Sequence, residues 1–599
     1  MISSIHAASM LGPTLQVLRG RWFMVFASFL IMSGAGATYI YGIYSSDIKS
    51  SMSYDQQTLN TIGFFKDLGA NIGILSGLIN EVTAPWVVLA IGSAMNFSGY
   101  LMVWLAVTGR IARPKVWQMC LYICIGANSQ TFANTGALVP CVKNFPESRG
   151  IMLGLLKGYV GLSGAIFTQL YLGFYGHHSK SLILLIGWLP SALSIIFLGT
   201  IRIIKPIRQL NELKIFNSFL YIALALAGYL MLIIIVEKQT SFSAIEYGSS
   251  AAVLLFLLFL PLAIVVREEL SIQKLKNQST ISISMQEKPS VSAINAPPLP
   301  PIPSSPQQQP PTKRTSISRI ADIFKSPKRG EDYTILQALV SIDMLIIFIT
   351  IVCGIGGTLT AIDNMGQIGE SLGYPRHTIS TFVSLISIWN FSGRVAAGFF
   401  SEILLSKHRF PRPLMLTWVL LLSCVGHLLI AFPTPGSLYI ASVIIGFCFG
   451  AQWSLVYAII SEVFGLKYYA TLYNFGAVAS PVGSYILNVK VAGRLYDREA
   501  LKQLAVVGGA VTGNLSCIGH KCYKLSFIII TAVTFIGTLV SVVLVIRTRK
   551  FYKSDIYSRF REVGQIGTGE MPVGRNGNDG GEMDEEKASS RAAMDGNKQ

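Results

Sequence analysis

Two adjacent charged residues stand inside an otherwise apolar stretch of the chain. The stretch GFFKDLGANIG, residues 63 to 73, places Lys66 and Asp67 near the centre of a segment long enough to cross a bilayer. An ionisable group at that depth costs about 2.5 to 3.5 kcal/mol on insertion scales. The lysine could attract an anion, and the aspartate could take up a proton or balance a bound cation. The pair therefore predicts a water-filled cavity or a charged partner within the membrane.

The helical neighbours of the two charges differ. Asp67 shares its face with Asn60 and Asn71, whereas Lys66 shares its face with small residues that favour tight helix packing. Because consecutive helical residues point in different directions, the sequence predicts that Lys66 and Asp67 do not pair well with each other. Lys157 is a candidate partner for Asp67, or it extends to the nearby cytosolic surface instead. In the purely structural alternative, a neighbouring helix neutralises one of the charges to fix packing.

Polar rows on the fourth apolar segment are further candidates. Asn128, Thr131 and Thr135 form one row, and Gln130 and Asn134 form another. Amides and hydroxyls within a membrane can bind a polar solute, but they also join helices to each other. Both interpretations of these rows remain open from the sequence.

The elements that must carry these residues are transmembrane helices. With 599 residues, of which 51% are hydrophobic and 13% charged, the chain is too apolar for a soluble globule. Fourteen apolar segments recur between Trp22 and Ile546. Most of the basic residues follow even-numbered segments or flank the termini, and this pattern predicts that both ends of the chain lie in the cytosol. The net charge of +18 is therefore explained by membrane topology, which argues against nucleic acid as a partner. The loop with Arg110, Arg113 and Lys115 disobeys this rule, so either the rule is locally overridden or one early segment is miscounted.

The sequence repeats itself at an offset close to 320 residues. Six segments repeated in the same orientation predict two parallel bundles related by an axis along the membrane normal. Subtracting 320 places Ile386 and Ser387 opposite Lys66 and Asp67, so the scaffold itself does not require these charges. The matched pairs include Gly34 and Gly354, Gly36 and Gly356, Thr38 and Thr358, Gly77 and Gly398, and Glu81 and Glu402.

Two six-helix bundles joined by a cytosolic linker resemble the major facilitator superfamily. Residues 392 to 410, SGRVAAGFFSEILLSKHRF, are similar to its loop signature, with Gly398, Glu402, Lys407 and Arg409 at the glycine, acidic and basic positions. The resemblance assigns Arg394 and Glu402 to a cytosolic charge cluster that latches the bundles in one conformation. It also implies that the polar rows of the fourth segment face a central cavity beside Asp67.

The match narrows to one branch of that superfamily. The stretches WFMVFASFLIMSGAGATYIYGIYS, NFPESRGIMLGLLKGYVGLSGAIF and GEDYTILQAL are similar to the plant nodulin-like branch, and the resemblance covers nearly all of residues 20 to 550. It implies the fold and a role in transport more firmly than any substrate.

The predicted fold class is an all-α polytopic membrane protein with two parallel six-helix bundles plus two inserted helices. The Pro-rich linker is expected to be a flexible tether; alternatively it binds SH3-type or WW-type domains, or a kinase that phosphorylates Ser316 or Ser326. In chain order the predicted parts are a cytosolic N terminus (1–21), a first bundle (22–203), two inserted helices (204–267), a disordered cytosolic linker (268–334), a second bundle (335–546) and a disordered cytosolic tail (547–599).

One predicted outer loop carries residues suited to covalent modification. Cys517 and Cys522 are candidates for a disulfide, and the sequon at Asn514 is a candidate glycosylation site, because both modifications occur outside the cytosol. The cysteine and histidine spacing does not match a metal motif, and no set of nucleophile and base is recognisable. The sequence therefore predicts no metal, no cofactor and no enzymatic activity.

The leading functional hypothesis is a secondary transporter that moves a small solute across the lipid bilayer by alternating access. A preference for an organic anion rests on the buried lysines, and proton coupling would use Asp67. The alternative is a non-transporting regulatory or scaffold protein that acts through its linker and tail. The resemblance and the lack of a clear targeting peptide favour the plasma membrane, with the vacuolar or another internal membrane as the alternative.

Overall fold

The computed structural model describes residues 16–54, 56–176, 179–204, 211–240, 242–286, 327–507 and 517–557. Almost all of these residues are helical, and each of the fourteen predicted segments coincides with a helix or an interrupted helix. By length and composition, ten helices of the described part can cross a membrane. The fold is therefore an all-α polytopic membrane protein, as predicted.

The first half and the inserted pair contain eight segments. The first half consists of α1 (Arg21–Gly34 and Tyr41–Met52, joined through the 3₁₀ turn Ala37–Ile40), α2 (Gln56–Asn71 and Ile74–Val82), α3 (Pro85–Val107), α4 (Val116–Asn144), α5 (Arg149–Tyr175) and α6 (Ser179–Ile196). The inserted helices are α7 (Glu212–Gln239) and α8 (Ala244–Gln286).

The second half repeats the first with six segments. They are α9 (Ile342–Ser371, preceded by the short helix Ile335–Val340), α10 (Arg376–His408), α11 (Arg412–Ala431), α12 (Ser437–Val463), α13 (Tyr469–Ser484, continued by the π-helical segment Tyr485–Gly493 and Arg494–Val507) and α14 (Lys521–Lys553).

The basic loop between α3 and α4 contacts aromatic side chains. Arg113 stacks over the ring of Tyr54, 5.8 Å from its centroid, and Tyr54 lies in the turn between α1 and α2. Arg110 stacks over Trp104 at 4.4 Å. Aromatic faces thus contact both arginines. Three helical segments precede the loop, so the count of the first three segments stands.

Glycines let the two halves pack closely at their cytosolic ends. A Cβ atom at Gly398 would lie 2.5 Å from the carbonyl oxygen of Gly150 and 2.7 Å from Cα of Gly154, closer than packed atoms allow. In the other pair, a Cβ atom at Gly77 on α2 would lie 2.7 Å from Cα of Thr471 on α13. Since α5 meets α10 and α2 meets α13 in this way, the two halves are closed against each other at the ends that the sequence predicts to face the cytosol.

The inserted helices are fastened to the first half by polar contacts. Arg21, at the start of α1, pairs with Glu212 at 2.7 Å, and the backbone N–H of Trp22 donates to Glu269 at 3.2 Å. At the opposite end of α7, Gln169 of α5 donates to Glu237 at 3.1 Å. A carboxylate at a helix N-terminus is favourable, so α8 stabilises the first turn of α1.

Three boundaries differ from those drawn from the sequence. Helix α8 continues to Gln286, because the residues after 267 include no Pro or Gly before Pro289. The end of the predicted linker is ordered, since N–H groups of Gly330 and Tyr333 donate to the carbonyl oxygens of Val463 and Phe464 at 3.0 and 3.1 Å. Helix α14 runs past residue 546 to Lys553. The remaining linker and tail, with Ser316 and Ser326, lie outside the described residues.

Candidate solute-binding cavity

Helices from both halves surround a central cavity whose empty space, including its open mouth, is about 450 Å³. Helices α1, α2, α4 and α5 contribute one wall, and α10, α12 and α13 contribute the other. Polar and aromatic side chains dominate the lining. The members that the argument uses are Tyr39, Asn71, Gln130, Thr131, Asn134, Lys157, Arg394, Trp453, Tyr457 and Tyr473.

Lys157 points into this cavity and is 93% buried, with a relative exposure of 7%. Its Nζ donates to Oδ1 of Asn134 at 3.2 Å. The same nitrogen lies 5.0 and 5.1 Å from the ring centroids of Tyr457 and Tyr473, which belong to the opposite half. Lys157 therefore does not extend to the cytosolic surface, and the structure does not pair it with Asp67.

Arg394 also lies in the cavity wall, which corrects its assignment to the cytosolic charge cluster. Its Nε donates to Oδ1 of Asn390 at 2.8 Å, Nη1 donates to the carbonyl oxygen of Lys157 at 2.9 Å, and Nη2 lies 3.3 Å from the hydroxyl of Tyr39. Eight residues separate Arg394 from Glu402, which is about 12 Å along a helix. Arg394 is thus two turns deeper than the cluster, and it bridges the two halves from inside.

The cavity carries two cations without a counter-charge. None of the fourteen described residues that line the cavity is acidic, and two of them, Lys157 and Arg394, are basic. Burying unpaired charges is costly, and a bound anion would remove that cost. The lining therefore favours an anionic or strongly polar ligand.

Lys66 and Asp67 pair with each other, contrary to the sequence prediction. Nζ of Lys66 lies 2.8 Å from Oδ1 of Asp67 and 5.1 Å from the ring centroid of Tyr41. The four-carbon stem of lysine is long enough to bend back to a neighbouring carboxylate. The Asp67 side chain is 52% exposed and lies one turn nearer the outer side than Asn71. The pair is neutral as a unit, and neither residue belongs to the described lining of the cavity.

Asn128 has a structural role in the described contacts. Its amide nitrogen donates to the carbonyl oxygens of Gly69 and Ile72 at 2.8 and 2.7 Å. These carbonyls lie where α2 is interrupted between Asn71 and Ile74. Asn128 thus compensates for hydrogen bonds that the interruption removes.

We expect Asn128→Ala to destabilise the protein more than a surface change. Two carbonyl groups, one of them partly buried, would lose their donor, and each lost hydrogen bond costs about 0.5 to 1.5 kcal/mol. The thermal midpoint of the purified protein in detergent should fall by several degrees. Ser98→Ala is the control, because Ser98 is exposed and bonds only within its own helix. Equal midpoints for the two variants would contradict this role.

Thr135 lies beneath the cavity, in a polar seal between the halves. Its hydroxyl lies 2.8 Å from Oγ of Ser76 and accepts from the amide of Asn474 at 2.7 Å. Thr131 lines the cavity itself. The side chain of Asn60 lies outside the described residues. The predicted row on α4 therefore divides into a structural residue, a lining residue and a seal residue.

The cytosolic cluster of the second half is centred on Arg412, which sequence reasoning missed. This fully buried arginine donates to Glu402 and Glu462, each at 2.7 Å, and also contacts Ser401. The hydroxyl of Tyr557 lies 3.0 and 2.9 Å from the same two carboxylates. Burial, followed by the charges of Glu402 and Glu462, raises the pKa of Tyr557 well above its ordinary value, so the phenol stays protonated.

The cluster connects to the first half through the start of α5. Oε2 of Glu402 accepts from the N–H of Gly150 at 2.8 Å. The repeat has a counterpart, because Oε1 of Glu81 accepts from the N–H of Thr471 at the start of α13 at 3.3 Å. Each half thus presents a carboxylate to a helix N-terminus of the other half, which is electrostatically favourable.

The basic end of the loop signature lies outside this cluster. Lys407 is exposed, and Arg409 pairs with Asp555 at 3.4 Å on the cytosolic surface. Gly398 provides the close approach to α5 described above. The outer loop shows a disulfide between Cys517 and Cys522, while Asn514 falls outside the described residues.

Comparison with family models identifies the protein family of this chain. The Nodulin-like family model matches residues 21–266, and the model of the NFD4 C-terminal domain matches residues 331–554. The chain belongs to the nodulin-like family. Together the two matches cover both halves and the inserted helices of this nodulin-like protein.

Relatives and solved structures agree with this family. The nodulin-like chain is 24% identical over 574 residues to Protein NUCLEAR FUSION DEFECTIVE 4 of Arabidopsis thaliana, covering 90% of this chain and 91% of that one. It is 27% identical over 178 residues to Probable transporter MCH1 of Yarrowia lipolytica, covering 28% of this chain and 34% of that one.

Two solved structures share the fold. The proton:xylose symporter XylE bound to 6-bromo-6-deoxy-D-glucose superimposes with a TM-score of 0.51 at 11% identity, covering 86% of this chain and 94% of that one. A double tryptophan mutant of XylE gives a TM-score of 0.53 at 11% identity, covering 91% and 98%. At this identity the likeness establishes the major facilitator fold of the nodulin-like protein.

Proposed function

We propose that this nodulin-like protein is a secondary transporter of a small organic anion. The observation that carries the proposal is the convergence of Lys157 and Arg394 on a central cavity whose described lining includes no acidic residue. The transporter fold and the similarity to a probable transporter support the general role. The anion preference rests on the cavity alone.

A carboxylate would fit between the two cations. Arg394 offers planar donors suited to carboxylate oxygens, and Lys157 adds a point charge from the other half. Tyr457 and Tyr473 flank Lys157 with aromatic faces, which suit the apolar part of a small organic solute. Because the two cations come from different halves, a bound anion would connect the halves electrostatically and thereby respond to their relative position.

Lys66 and Asp67 have a different proposed role. They form a neutral ion pair on the outer side of the cavity, where the Asp67 carboxylate is half exposed. Lys66 is the more buried partner, and exchange of its pairing from Asp67 to an incoming anion would guide the solute inward. In this proposal the pair contributes to the rate of entry, whereas Lys157 and Arg394 determine affinity.

The proposal is tested by ligand-dependent thermal stabilisation of the purified protein, followed by uptake into proteoliposomes. The probes are a panel of small mono- and dicarboxylates, each paired with its uncharged amide. A ligand that binds only the folded state raises the melting temperature by mass action. We expect stabilisation and uptake for at least one carboxylate and not for its amide.

Lys157→Gln should weaken binding of that carboxylate by about 10- to 100-fold, since hydrogen bonds to charged groups contribute about 1.5 to 3 kcal/mol. Lys490→Gln is a matched control, because Lys490 is exposed and also stacks on a tyrosine, 5.1 Å from the ring of Tyr485. Equal response to carboxylates and amides, or unchanged affinity in Lys157→Gln, would rule out the anion site.

A further inference from the structure

A second charged cavity lies at the cytosolic ends of α9 and α14, far from the central cavity. It is a groove of about 1330 Å³, including its open mouth, and is called the basic groove here. Its lining includes Lys328, Arg329, Arg547 and Lys550. These residues come from two parts of the chain, the ordered segment before α9 and the last turns of α14.

The basic groove has an excess of positive charge. Asp343 is the only acidic residue among its described lining residues, against four basic ones. Its carboxylate is shared, with Nε of Arg329 at 2.7 Å and Nε of Arg547 at 2.6 Å. One carboxylate therefore orients two guanidinium groups side by side without neutralising the groove, which keeps a net charge of about three.

The groove also has an apolar edge at the level where the membrane begins. Val340 and Ile342 belong to its lining and are 54% and 58% exposed. Ile342 is the first residue of the apolar helix α9, and Ile546, one residue before Arg547, is 70% exposed on α14. The basic residues of the groove thus lie beside exposed apolar side chains at the start of a helix that is long and apolar enough to cross a membrane.

The repeat shows what occupies the equivalent place in the first half. An offset of 320 aligns Ile342 with Trp22, so the starts of α9 and α1 correspond. At the start of α1, carboxylates of the inserted helices are present, Glu212 on Arg21 and Glu269 on the N–H of Trp22. The inserted helices thus supply anionic groups to one half only, and the corresponding site of the second half is an open basic groove.

We propose that the basic groove binds the phosphate headgroup of an anionic phospholipid from the cytosolic leaflet. Paired guanidinium groups recognise phosphate oxygens through several donors, and Lys328 and Lys550 add charge at the rim. The exposed Val340 and Ile342 would contact the first part of the acyl chains. Basic pockets between transmembrane helices on the cytosolic side are suited to lipid headgroups.

The apolar edge distinguishes a lipid from a soluble phosphate. Inorganic phosphate or a phosphorylated peptide would use the cations alone and gain nothing from Val340 and Ile342. A phospholipid uses both and arrives already oriented, with its phosphate at the depth of the arginines. The site fixes the ends of the first and last helices of the second half to the inner leaflet.

The test measures binding of dioctanoyl phosphatidic acid to the full-length protein in detergent, by native mass spectrometry or fluorescence titration. Dioctanoyl phosphatidylcholine and glycerol 3-phosphate are the comparison ligands. We expect phosphatidic acid to bind at least tenfold more tightly than either one. Lys550→Gln, which breaks no ion pair among the described residues, should weaken binding about fivefold, and Arg547→Gln should weaken it at least as much.

Arg549→Gln provides the matched control. Arg549 is exposed between Arg547 and Lys550 on the same helix but does not line the groove, so its removal should change affinity less than twofold. An equal loss in Arg549→Gln would mean that general surface charge attracts the lipid, and this would overturn the site. Equally tight binding of glycerol 3-phosphate would reassign the groove to free phosphate. If the protein binds lipid only after phosphatase treatment, a phosphorylated segment of the chain occupies the basic groove beforehand. The groove would then be assigned to that segment and not to a lipid.

Discussion

Replacing Arg412 with leucine is expected to destabilise the protein by about 3 to 5 kcal/mol, the cost of removing one partner from a buried ion cluster. Arg412 is fully buried and donates to both Glu402 and Glu462 at 2.7 Å. Without it, two carboxylates remain close together in a site that excludes water. The thermal midpoint of the detergent-purified protein should fall by many degrees, or the protein should fail to accumulate.

A compensated variant keeps this prediction testable if the single variant does not fold. Arg412→Leu combined with Glu402→Gln and Glu462→Gln removes the unpaired charges, so stability should recover by several degrees relative to Arg412→Leu. Arg409→Ala is the control, because Arg409 forms an exposed ion pair with Asp555 at 3.4 Å, and such pairs contribute about 0 to 1 kcal/mol. If Arg412→Leu and Arg409→Ala melt at the same temperature, the cluster does not stabilise the fold.

The sequence predicted the architecture because the architecture is periodic. Apolar segments near 20 residues and an offset near 320 are properties of the chain itself, so fourteen helices and two halves followed without any contact information. Gly77 and Gly398 were matched by the same offset, and both occur at close approaches between the halves. Repetition therefore identified residues whose role depends on the symmetry of the fold.

The cavity was harder to predict, because it depends on depth and on contacts between distant segments. Lys157 was found as an intramembrane charge, but its aromatic neighbours Tyr457 and Tyr473 lie about 300 residues away in the chain. Arg394 was misplaced because it belongs to a loop signature, whereas α10 continues well past it to His408. Counting residues from Glu402 would have placed it two turns deeper.

Two further differences come from side-chain length and from the limits of the motif. Lys66 reaches Asp67 because its stem is long and flexible, which a rule based on Cβ directions overlooks. The loop signature ends at residue 410, and Arg412 lies beyond it. The motif therefore includes the exposed Lys407 and Arg409 and omits the buried Arg412. A search for basic residues at the start of the next helix could have found Arg412, since a buried Glu402 needs a cation.

The second large effect is expected from Gly398→Leu, which should shift the protein away from the conformation closed on the cytosolic side. Even a Cβ atom at this position would lie 2.5 Å from the carbonyl oxygen of Gly150 and 2.7 Å from Cα of Gly154. A leucine must therefore separate α10 from α5. Overpacking of this kind costs about 1 to 3 kcal/mol, which corresponds to about a 5- to 150-fold change in the conformational equilibrium.

The shift is measured with Asn71→Cys, which places a thiol in the lining of the cavity. A membrane-impermeant maleimide added from outside should label Asn71→Cys at least fivefold more slowly when Gly398→Leu is present, after subtraction of labelling in the chain without Asn71→Cys. Gly77→Leu should have the same effect, because Gly77 meets Thr471 in the symmetry-related contact.

Gly228→Leu on α7 separates a conformational effect from a general effect of leucine in a helix. A Cβ atom at Gly228 would meet no atom within 4 Å, so leucine fits there without moving a helix. The rate of maleimide labelling should remain that of Asn71→Cys without a leucine substitution. A slower reaction in Gly228→Leu, or an unchanged one in both Gly398→Leu and Gly77→Leu, would show that the glycine contacts do not hold the cytosolic side closed. We expect slower labelling with Gly398→Leu and Gly77→Leu and unchanged labelling with Gly228→Leu. The close contacts of Gly398 and Gly77 form only when the halves approach each other at this end, so their loss destabilises the closed conformation and not the other one.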